Sequence, residues 1–261
     1  MDLPLHDLVA QALLGAYATG VPIPPLPEKF GPLTVEDAYQ IQLRQLTHWV
    51  ADGRRVLGRK VGLTSGAMQR QLGVDRPDFG SLTEDMFWAE NTTIDRSRFL
   101  QPRIEPEVAF VLGRPLRGPG VTVAAAVVAV EYVLPALEII DSRIADWKIG
   151  IVDTIADNAS SGGVVLGSRP CRLADLDLRL AGCVLHRNGE IAGTGAGGAV
   201  LGSPINALVW VANVLGERGV GLEAGQVVLP GSMTASIPFA AGDVVTSTVA
   251  GLGSVTARMG A

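Results

Sequence analysis

The chain contains little cysteine and little histidine, and this scarcity limits the chemistry open to it. Among its 261 residues are two cysteines, Cys171 and Cys183, and three histidines. Two cysteines could form one disulfide but not a disulfide framework, so we expect two reduced, buried thiols in a cytoplasmic protein. His6, His48 and His186 are scattered, with no ligand-like partner at short spacing. We therefore interpret all three histidines as structural or exposed.

Runs of basic residues and long apolar runs are also absent. The net charge of −5 is spread along the chain without a basic cluster, which argues against a nucleic-acid partner. Asp2, His6 and Asp7 precede any apolar run, so the N-terminus does not have the pattern of a signal peptide. The longest apolar run, residues 121–130, is too short to span a bilayer. We expect neither a membrane nor a nucleic acid among the partners.

Two familiar motifs give no support for common enzyme classes. The sequence has no G-x-S-x-G elbow, so an esterase triad is not indicated. Residues 193–198 match G-x-G-x-x-G, but the next predicted helix begins only after Gly202, outside the motif. A dinucleotide site needs a helix that opens within the glycines. We therefore prefer a glycine-rich hairpin exit or a loop of close backbone approach.

What the chain does contain is typical of a compact globular protein with many tight turns: 48% hydrophobic residues, 32 glycines and 16 prolines. Residues 1–53 form a predicted small helical region. A first helix spans residues 6–17 and closes at Gly20, and a second is capped by Thr34 and runs to about Ala51. Between them, residues 21–31 hold four prolines and indicate an extended linker.

Residues 54–261 form a predicted β-rich catalytic core, because the apolar period changes to two near Arg55. Asn188-Gly189 is a strong hairpin signal, and Ser203-Pro204 marks the start of a helix. Another helix is expected from Thr122 to about Glu131. The predicted strands cover residues 56–63, 133–141, 226–229, 244–249 and 254–259, with a short helix over 64–72 and a loop over 73–80.

Two glutamates two residues apart, Glu105 and Glu107, lie in a predicted strand of mostly apolar residues. Alternation places both side chains on one face, with Cα atoms roughly 6.5 Å apart. Carboxylates this close repel each other unless a positive charge lies between them, and a divalent cation bound through oxygen meets that need. Pro106 lacks an N–H, so we expect an edge strand or a bulge here. A solvent-exposed pair of glutamates is the alternative for so short a motif.

Two further charges stand among small or apolar residues. Lys60 shares its strand face with Gly58 and Gly62, which leaves room for a ligand against the amine; a surface lysine between turn glycines is equally compatible. Glu138 has apolar neighbours, and it needs a partner because a buried unpaired glutamate is costly. The polar residues at 157–161 could line a pocket or form a solvated loop, and the sequence leaves both open.

With these charges in place, the chain resembles the 2-hydroxypenta-2,4-dienoate (2-keto-4-pentenoate) hydratases. These belong with the 4-oxalocrotonate decarboxylases in the fumarylacetoacetate hydrolase superfamily. The resemblance covers nearly the whole chain, so it is far more specific than any single motif. Its stretches are GRKVGLT at 58–64, QLGVDRPDFG at 71–80, QPRIEPE at 101–107, LPALE at 134–138, DSR at 141–143, DTIADNAS at 153–160, LPGS at 229–232 and GLGSV at 251–255.

The resemblance implies an α+β protein with a mixed β-sandwich roll core behind the small helical N-terminal region. It implies Mg²⁺ or Mn²⁺ held by Glu105, Glu107 and Glu138, with Lys60 as acid/base and Asp78 in the same pocket. It also implies a homo-oligomer built from dimers, a possible complex with another enzyme of the pathway, and meta-cleavage catabolism of aromatic compounds or steroids. The substrate-binding positions that it indicates are Leu63, Thr64, Arg103, Ser160, Ser161 and Ser232.

The implied reaction is hydration of a 2-hydroxy-2,4-dienoate to a 4-hydroxy-2-oxo acid, and it agrees with the charges found from the residues alone. A 2-oxo acid offers a carboxylate oxygen and a neighbouring keto or enol oxygen, which can both bind one hard cation. The proton transfers need a positioned acid/base. Lys60, beside a cation and partly desolvated, is expected to have a lowered pKa and to serve in that role.

The related decarboxylase is the main alternative, followed by a C–C hydrolase and, from a different class, a non-catalytic scaffold subunit. Intact metal ligands together with Lys60 argue against the scaffold. A decarboxylase needs a cationic or amide-rich wall for a second carboxylate, whereas a hydratase of a short dienoate needs a small apolar wall. Residues 143–147 and 152–154 favour the hydratases, while residues 231–235 partly resemble the decarboxylases. The predicted wall is apolar: Leu63, Phe79, Val164 and Ile237.

Overall fold

The computed structural model describes residues 4–66, 69–70 and 74–261, which form helices and two mixed β-sheets. The predicted α+β class is confirmed. The helices are α1 (Leu5–Thr19), α2 (Leu26–Phe30), α3 (Val35–Ala51), α4 (Val123–Ala129), α5 (Ile151–Ala156) and α6 (Pro204–Glu217). The strands are β1 (Val56–Gly62), β2 (Asp78–Thr83), β3 (Phe87–Trp88), β4 (Thr93–Ile94), β5 (Arg103–Leu112), β6 (Val130–Ile140), β7 (Ser161–Leu166), β8 (Gly182–Arg187), β9 (Glu190–Ala196), β10 (Val227–Leu229), β11 (Ile237–Pro238), β12 (Val244–Val249) and β13 (Gly253–Met259).

The larger sheet curls into a roll. Its strand order is β2-β1-β10-β5-β6-β7-β3, and β11 also pairs with β5. The two outer strands, β2 and β3, are consecutive in the chain and are joined only by the 3-10 turn Glu84–Met86. The two edges of the sheet must therefore lie close together, which gives the roll that the sequence predicts.

One face of the larger sheet, which we call the carboxylate face, carries Lys60, Glu105, Glu107 and Glu138. Alternation along β5 and β6 places small and apolar side chains beside these charges on the same face. They form a buried cluster whose members include Leu82, Ala109, Val111, Ala136, Val164, Val227 and Leu229. The charged groups therefore lie in the interior of the roll, next to a packed apolar floor.

The opposite face of the larger sheet is covered by two different layers. Ile104, Leu137 and Ile139 alternate with the glutamates and pack in one core cluster with Leu185 and Val245 of the second sheet. The second sheet has the order β4-β13-β12-β8-β9. The rest of this face packs against the helices in the largest core cluster, which includes Val61, Val108, Phe110 and Val228. Both layers fix the backbone of β5 and β6 from behind.

Strand β5 does not lie at an edge, contrary to the expectation from Pro106. It pairs with β6 from Arg103 to Leu112, with one register shift at Val111/Leu112 and none at Pro106. On its other side, β10 pairs near Phe110 and β11 near Ile104, so the ladder is interrupted between them. The missing N–H of Pro106 falls in this interval, where no strand partner is required of it.

The hairpin and glycine-rich segment follow the sequence prediction. Asn188 and Gly189 both have positive φ and connect β8 to β9. Gly195 and Gly197 face backbone carbonyls at a distance that leaves no room for a Cβ atom. Residues 193–198 are thus a segment of close backbone approach. Helix α4 ends at Ala129, because the chain enters β6 at Val130, earlier than predicted.

The N-terminal region contains one helix that the sequence does not predict. Helix α1 ends at Gly20 in the left-handed conformation, and Thr34 with Asp37 forms a capping box at the start of α3, as expected. The proline-rich linker, however, includes the short helix α2. Pro27 lies in its first turn, where proline has no hydrogen bond to lose, so the prolines do not exclude it.

Two buried glutamines of α3 bind the N-terminal region to the core. Gln42 Nε2 donates to Phe79 O and to Ile155 O, both at 2.9 Å. Gln45 Nε2 donates to Ala156 O at 2.6 Å. These bonds hold β2 and α5 against α3, so the helical region packs directly on elements of the core. The division at residues 53 and 54 into two units stays a prediction.

Helix α6 and the residues before it form an unusually long apolar stretch. The stretch Gly197–Glu217 is long and apolar enough to cross a membrane by length and composition alone. The core helix of a globular protein passes the same test, and α6 buries Ala207, Leu208 and Val211 in the largest core cluster. The two cysteines are free thiols, with Cys183 buried and Cys171 half-buried.

We predict that Gln42→Ala lowers the free energy of unfolding by about 1–3 kcal/mol, because it leaves buried carbonyl groups without their donor. Chemical denaturation measures the change. Gln40→Ala, on the same helix, removes an exposed bond to Glu36 and serves as the control. Equal stability of the two variants would contradict the proposed link between α3 and the core.

Candidate metal centre

Three carboxylates converge on the carboxylate face. Glu105 and Glu107 lie two residues apart on β5, and Glu138 lies directly opposite Glu105 on β6. One oxygen from each side chain lies within 4.8 Å of the others. Glu107 and Glu138 are 0% and 1% exposed, while Glu105 is half-buried. The alternative, in which the glutamate pair is exposed to solvent, is therefore wrong. The three carboxylates form one cluster that solvent reaches only in part, at Glu105.

The cluster is short of positive charge and of hydrogen-bond donors. Burial raises the pKa of Glu107 and of Glu138 above the usual range, and for Glu107 the neighbouring carboxylates raise it further. Burial and the charge of Glu138 raise the pKa of Glu105 to about 7. Among the described residues, Glu107 Oε1 and Glu138 Oε2 have no hydrogen-bond partner, and Glu138 Oε1 has no partner besides the Lys60 ammonium 3.1 Å away. Unpaired, converging carboxylate oxygens are the ligands that a hard divalent cation takes, so these residues fit such an ion.

The backbone at Gly231 holds the side chain of Glu107 in place. Its N–H donates to Glu107 Oε2 at 2.8 Å, which leaves only Oε1 of that side chain unpartnered. Gly231 has φ of +120°, and a Cβ atom there would collide with the Thr64 side chain. Glycine is therefore required at this position both by conformation and by space.

Lys60 lies at the cluster and is 4% exposed. Its Nζ is 3.1 Å from Glu138 Oε1 and donates to Ala159 O at 2.8 Å. Glu138 thus has the partner that its buried position predicts. Burial lowers the pKa of Lys60, but the charges of Glu138, Asp78, Glu105 and Glu107 outweigh it and raise the pKa above its usual value. The predicted lowering of the Lys60 pKa is therefore wrong for the protein without a bound ion, because four carboxylates surround the one ammonium group.

Asp78 occupies the space that the glycines beside Lys60 leave. A Cβ atom on Gly62 would collide with Asp78 Oδ1, and one on Gly58 would collide with Val227 O. The room expected for a ligand along β1 is therefore filled by the protein. Asp78 Oδ2 accepts from Thr154 Oγ1 at 3.0 Å, whereas Oδ1 has no hydrogen-bond partner. Burial raises the pKa of Asp78, while Lys60 opposes the shift.

The polar segment at 157–161 is buried, so the solvated-loop alternative is wrong. Asn158, Ala159 and Ser160 have φ of 53°, 52° and 53°, in the left-handed region. Ala159 supplies the carbonyl that accepts the hydrogen bond from Lys60 Nζ. Ser160 Oγ is buried without a hydrogen-bond partner, while Ser161 Oγ donates to Asn158 O at 2.7 Å.

Arg143 organises the far side of this segment, and sequence patterns predict no role for it beyond the family resemblance. The side chain is 0% exposed and its Nε lies 2.5 Å from Asp157 Oδ1. It also donates to Asp157 O at 3.0 Å and to Ser161 O at 3.2 Å. Asp141, 3.7 Å from Arg143, accepts from the backbone N–H groups of Leu100 and Gln101 just before β5. The signal for it in the sequence is the DSR stretch at 141–143, which carries part of the family resemblance.

The predicted substrate-binding residues lie around the cluster in different settings. Leu63 follows β1 with φ of +56°, an unusual conformation for a leucine, and Thr64 is buried against Gly231. Arg103 shares the strand face of Glu105 and donates to Ser236 Oγ and Ser236 O, both at 2.8 Å. Ser232 Oγ donates to Thr234 O at 2.7 Å.

Only part of the predicted apolar wall lies on the carboxylate face. Val164 does, since it pairs with Glu138. Phe79 pairs with Val61 and stacks on Tyr39 at 4.7 Å, in the core beneath the helices. Ile237 pairs with Ile104 and packs toward the second sheet. Both side chains point to the opposite face because strand side chains alternate, so their assignment to the wall is corrected. The apolar neighbours of the carboxylates are those of the floor described above.

Comparison with known proteins shows the family to which the chain belongs. Residues 56–259 match the family described as fumarylacetoacetate (FAA) hydrolase C-terminal, so the chain belongs to that family. Within it, the chain is 49% identical over 250 residues to the 2-keto-4-pentenoate hydratase of Paraburkholderia xenovorans LB400, covering 96% of this chain and 93% of the relative. It is 41% identical over 263 residues to the 2-oxo-hept-4-ene-1,7-dioate hydratase of Escherichia coli, covering 98% of each.

A solved structure agrees with the fold over almost the whole chain. The 4-oxalocrotonate decarboxylase of Pseudomonas putida G7, complexed with magnesium and adipate, superimposes with a TM-score of 0.94. It is 36% identical and covers 99% of both chains. The predicted family is thereby confirmed. Proteins named as hydratases and a protein named as a decarboxylase are both similar to this chain.

We predict that Gly231→Ala weakens divalent-cation binding by 10-fold or more, since about 1.4 kcal/mol lost at Glu107 already gives that factor. Titration with Mn²⁺ followed by electron paramagnetic resonance measures it. Gly225→Ala is the control, because Gly225 also has positive φ but has open space around its Cα. If both variants bind Mn²⁺ equally well, the backbone contact to Glu107 does not fix the site.

Proposed function

We propose that this chain is a metal-dependent hydratase that adds water to 2-hydroxypenta-2,4-dienoate, or to a substituted analogue, in the meta-cleavage catabolism of aromatic compounds. The observation that carries this proposal is the buried set of Glu105, Glu107 and Glu138 facing Lys60, in a chain almost half identical to named hydratases. The product is a 4-hydroxy-2-oxo acid. The enzyme is a hydro-lyase.

The metal in this proposal is Mg²⁺ or Mn²⁺ held by the three glutamates. When bound there, such an ion would supply Lewis acidity to the keto oxygen of a 2-oxo acid. The decarboxylase structure with magnesium supports a divalent ion in this fold. Glu107 Oε1 and Glu138 Oε2 have no hydrogen-bond partner among the described residues, and they are the oxygens that would be free to bind it.

Lys60 and Asp78 divide the proton transfers. Lys60, whose Nζ lies 3.1 Å from Glu138 Oε1 and donates to Ala159 O, acts as the general acid. Lys60 donates a proton to C5 of the dienol while the enol O–H loses its proton, and the dienol thereby becomes a 2-oxo-3-enoate. Asp78, with one unpartnered oxygen and a raised pKa, accepts a proton from the water that adds at C4. The proton that Asp78 takes from water then enters at C3, and the proton released by the enol O–H returns to Lys60, so that one water adds across C3 and C4.

The apolar floor favours hydration of a short dienoate over decarboxylation of a dicarboxylate. Leu82, Val164 and Leu229 lie on the carboxylate face, and none can pair with a second carboxylate. Besides Lys60, Arg103 of β5 lies on this face, but two of its nitrogens are bonded to Ser236. We infer that Arg103, with Leu63, Thr64, Ser160, Ser161 and Ser232, contacts the substrate. We further propose a cytoplasmic homo-oligomer built from dimers, which can form a complex with another enzyme of the pathway.

The deciding experiment compares two substrates in the presence of Mg²⁺. With freshly generated 2-hydroxypenta-2,4-dienoate, we expect loss of dienol absorbance and formation of 4-hydroxy-2-oxopentanoate. With 4-oxalocrotonate, we expect little release of CO₂. Faster CO₂ release than hydration would assign the chain to the decarboxylase branch.

Two variants separate the roles within the site. Lys60→Ala should lower turnover by about 10²-fold or more, as loss of a general acid does, while Mn²⁺ affinity stays near that of the parent. Glu107→Gln should lose both Mn²⁺ affinity and turnover, because it removes one charged ligand. Steady-state kinetics and Mn²⁺ titration give the two readouts. Full Mg²⁺ dependence and rate in Glu107→Gln would refute the ligand assignment.

A further inference from the structure

The carbonyl that accepts from Lys60 belongs to a strained turn. Asn158, Ala159 and Ser160 are three consecutive non-glycine residues in the left-handed region, which L residues rarely adopt in succession. Strain of this kind persists only where the surroundings over-determine the backbone. Ala159 lies at the centre of the turn, and its carbonyl oxygen is 2.8 Å from Lys60 Nζ. What fixes this turn therefore also fixes the ammonium group.

The Asn158 side chain provides that constraint. Its Oδ1 accepts from Ser81 N at 2.8 Å and its Nδ2 donates to Ser81 O at 2.9 Å. Both residues are fully buried. Ser81 lies on β2 opposite Arg59, and the next residue along, Gly80, lies opposite Lys60. The side-chain amide thus attaches the turn to the strand that pairs with the strand of Lys60.

The packing at Gly80 shows how closely the two parts approach. A Cβ atom on Gly80 would collide with Asn158 O. The turn therefore sits directly on β2 at the position opposite Lys60, with no space for it to shift toward the strand. The amide of Asn158 bonds the turn to β2, Ser161 Oγ donates to Asn158 O within the turn, and Ser160 O accepts from Asp141 N on the side of β6.

We propose that Asn158 is a positioning residue, which sets Ala159 O so that the Lys60 ammonium points at the carboxylate cluster. This inference rests on the proposed role of Lys60 as the general acid. Asn158 does not contact the substrate. It acts by paired hydrogen bonds to one backbone residue, and the proton donor loses its alignment when those bonds are removed.

The chemistry of the contact requires an amide. Ser81 presents one N–H and one C=O, so its partner must both accept and donate at a fixed spacing. Alanine removes both bonds. Glycine also removes both, yet it adopts the left-handed conformation without strain. Asn158→Gly therefore separates the amide contact from the conformational preference of asparagine.

Asn213 offers a matched control. Its Oδ1 accepts from Val121 N at 2.7 Å and its Nδ2 donates to Val121 O at 3.0 Å, which is the same paired contact to a backbone residue. It lies on α6, away from the carboxylate face, and has no part in the site. Asn213→Ala should lower stability but leave turnover per folded enzyme unchanged.

The test is a double-mutant cycle with Lys60→Ala, read with Mg²⁺ and 2-hydroxypenta-2,4-dienoate. Asn158→Ala and Asn158→Gly should each lower kcat by about 10- to 100-fold, the range that misplacement of a catalytic group produces, with KM and Mn²⁺ affinity unchanged. In the Lys60→Ala background the same substitutions should change kcat little, because the group that they position is gone. Asn158→Gly supplies the measurement if Asn158→Ala does not fold.

Several results would overturn the positioning role. One is an equal fall of kcat in the presence and absence of Lys60, which indicates a general structural effect. Others are wild-type kcat in Asn158→Gly, a loss of Mn²⁺ affinity that accompanies the loss of kcat, or an equal loss of kcat in Asn213→Ala. If Lys60→Ala itself keeps full turnover, the proposed function of Lys60 fails instead, and the cycle identifies that case separately.

Discussion

The mutual repulsion of buried carboxylates is the constraint on which the site depends. Four acidic groups lie around one ammonium, so the protein groups alone leave the cluster with excess negative charge. Burial makes this costly and raises the pKa values of Glu105, Glu107 and Glu138 together. A cation at that point would relieve this repulsion. The free energy of folding and the affinity for the ion would then be linked, since the ion would remove a penalty that the fold carries.

The sequence was sufficient to identify the charged residues of the site, but it did not predict which side chains share a face of the sheet. Glu105 and Glu107 are recognisable because two like charges recur at period two in an apolar strand, and Glu138 because a lone carboxylate needs a partner. The pairing of Glu138 with Lys60 joins strands that are separated by β10 and β5, about 14 Å apart in a flat sheet. The curl of the sheet, together with the reach of the two long side chains, brings Lys60 Nζ and Glu138 Oε1 to 3.1 Å, and local sequence patterns do not encode the curl.

The two errors at the apolar wall have one physical origin. Phe79 is adjacent in sequence to Asp78, and Ile237 is close to the loop that holds Gly231, but both side chains leave their strands on the opposite face. Nearness along the chain does not give nearness in a sheet, because successive side chains alternate. The pKa of Lys60 is a related case. Its direction depends on how many carboxylates the fold gathers, and that number follows from the topology.

The pairing of β1 with β10 has a consequence for the order of folding. Lys60 comes from the first strand of the chain, whereas Gly231, which fixes Glu107, follows the strand that pairs beside it more than half the chain later. A nascent chain on the ribosome can place the helices and β5 with β6 early, but it cannot assemble the carboxylate cluster with its ammonium and backbone donors until β10 has emerged. Contacts of such long sequence separation slow folding, so cation binding should appear among the last events of maturation.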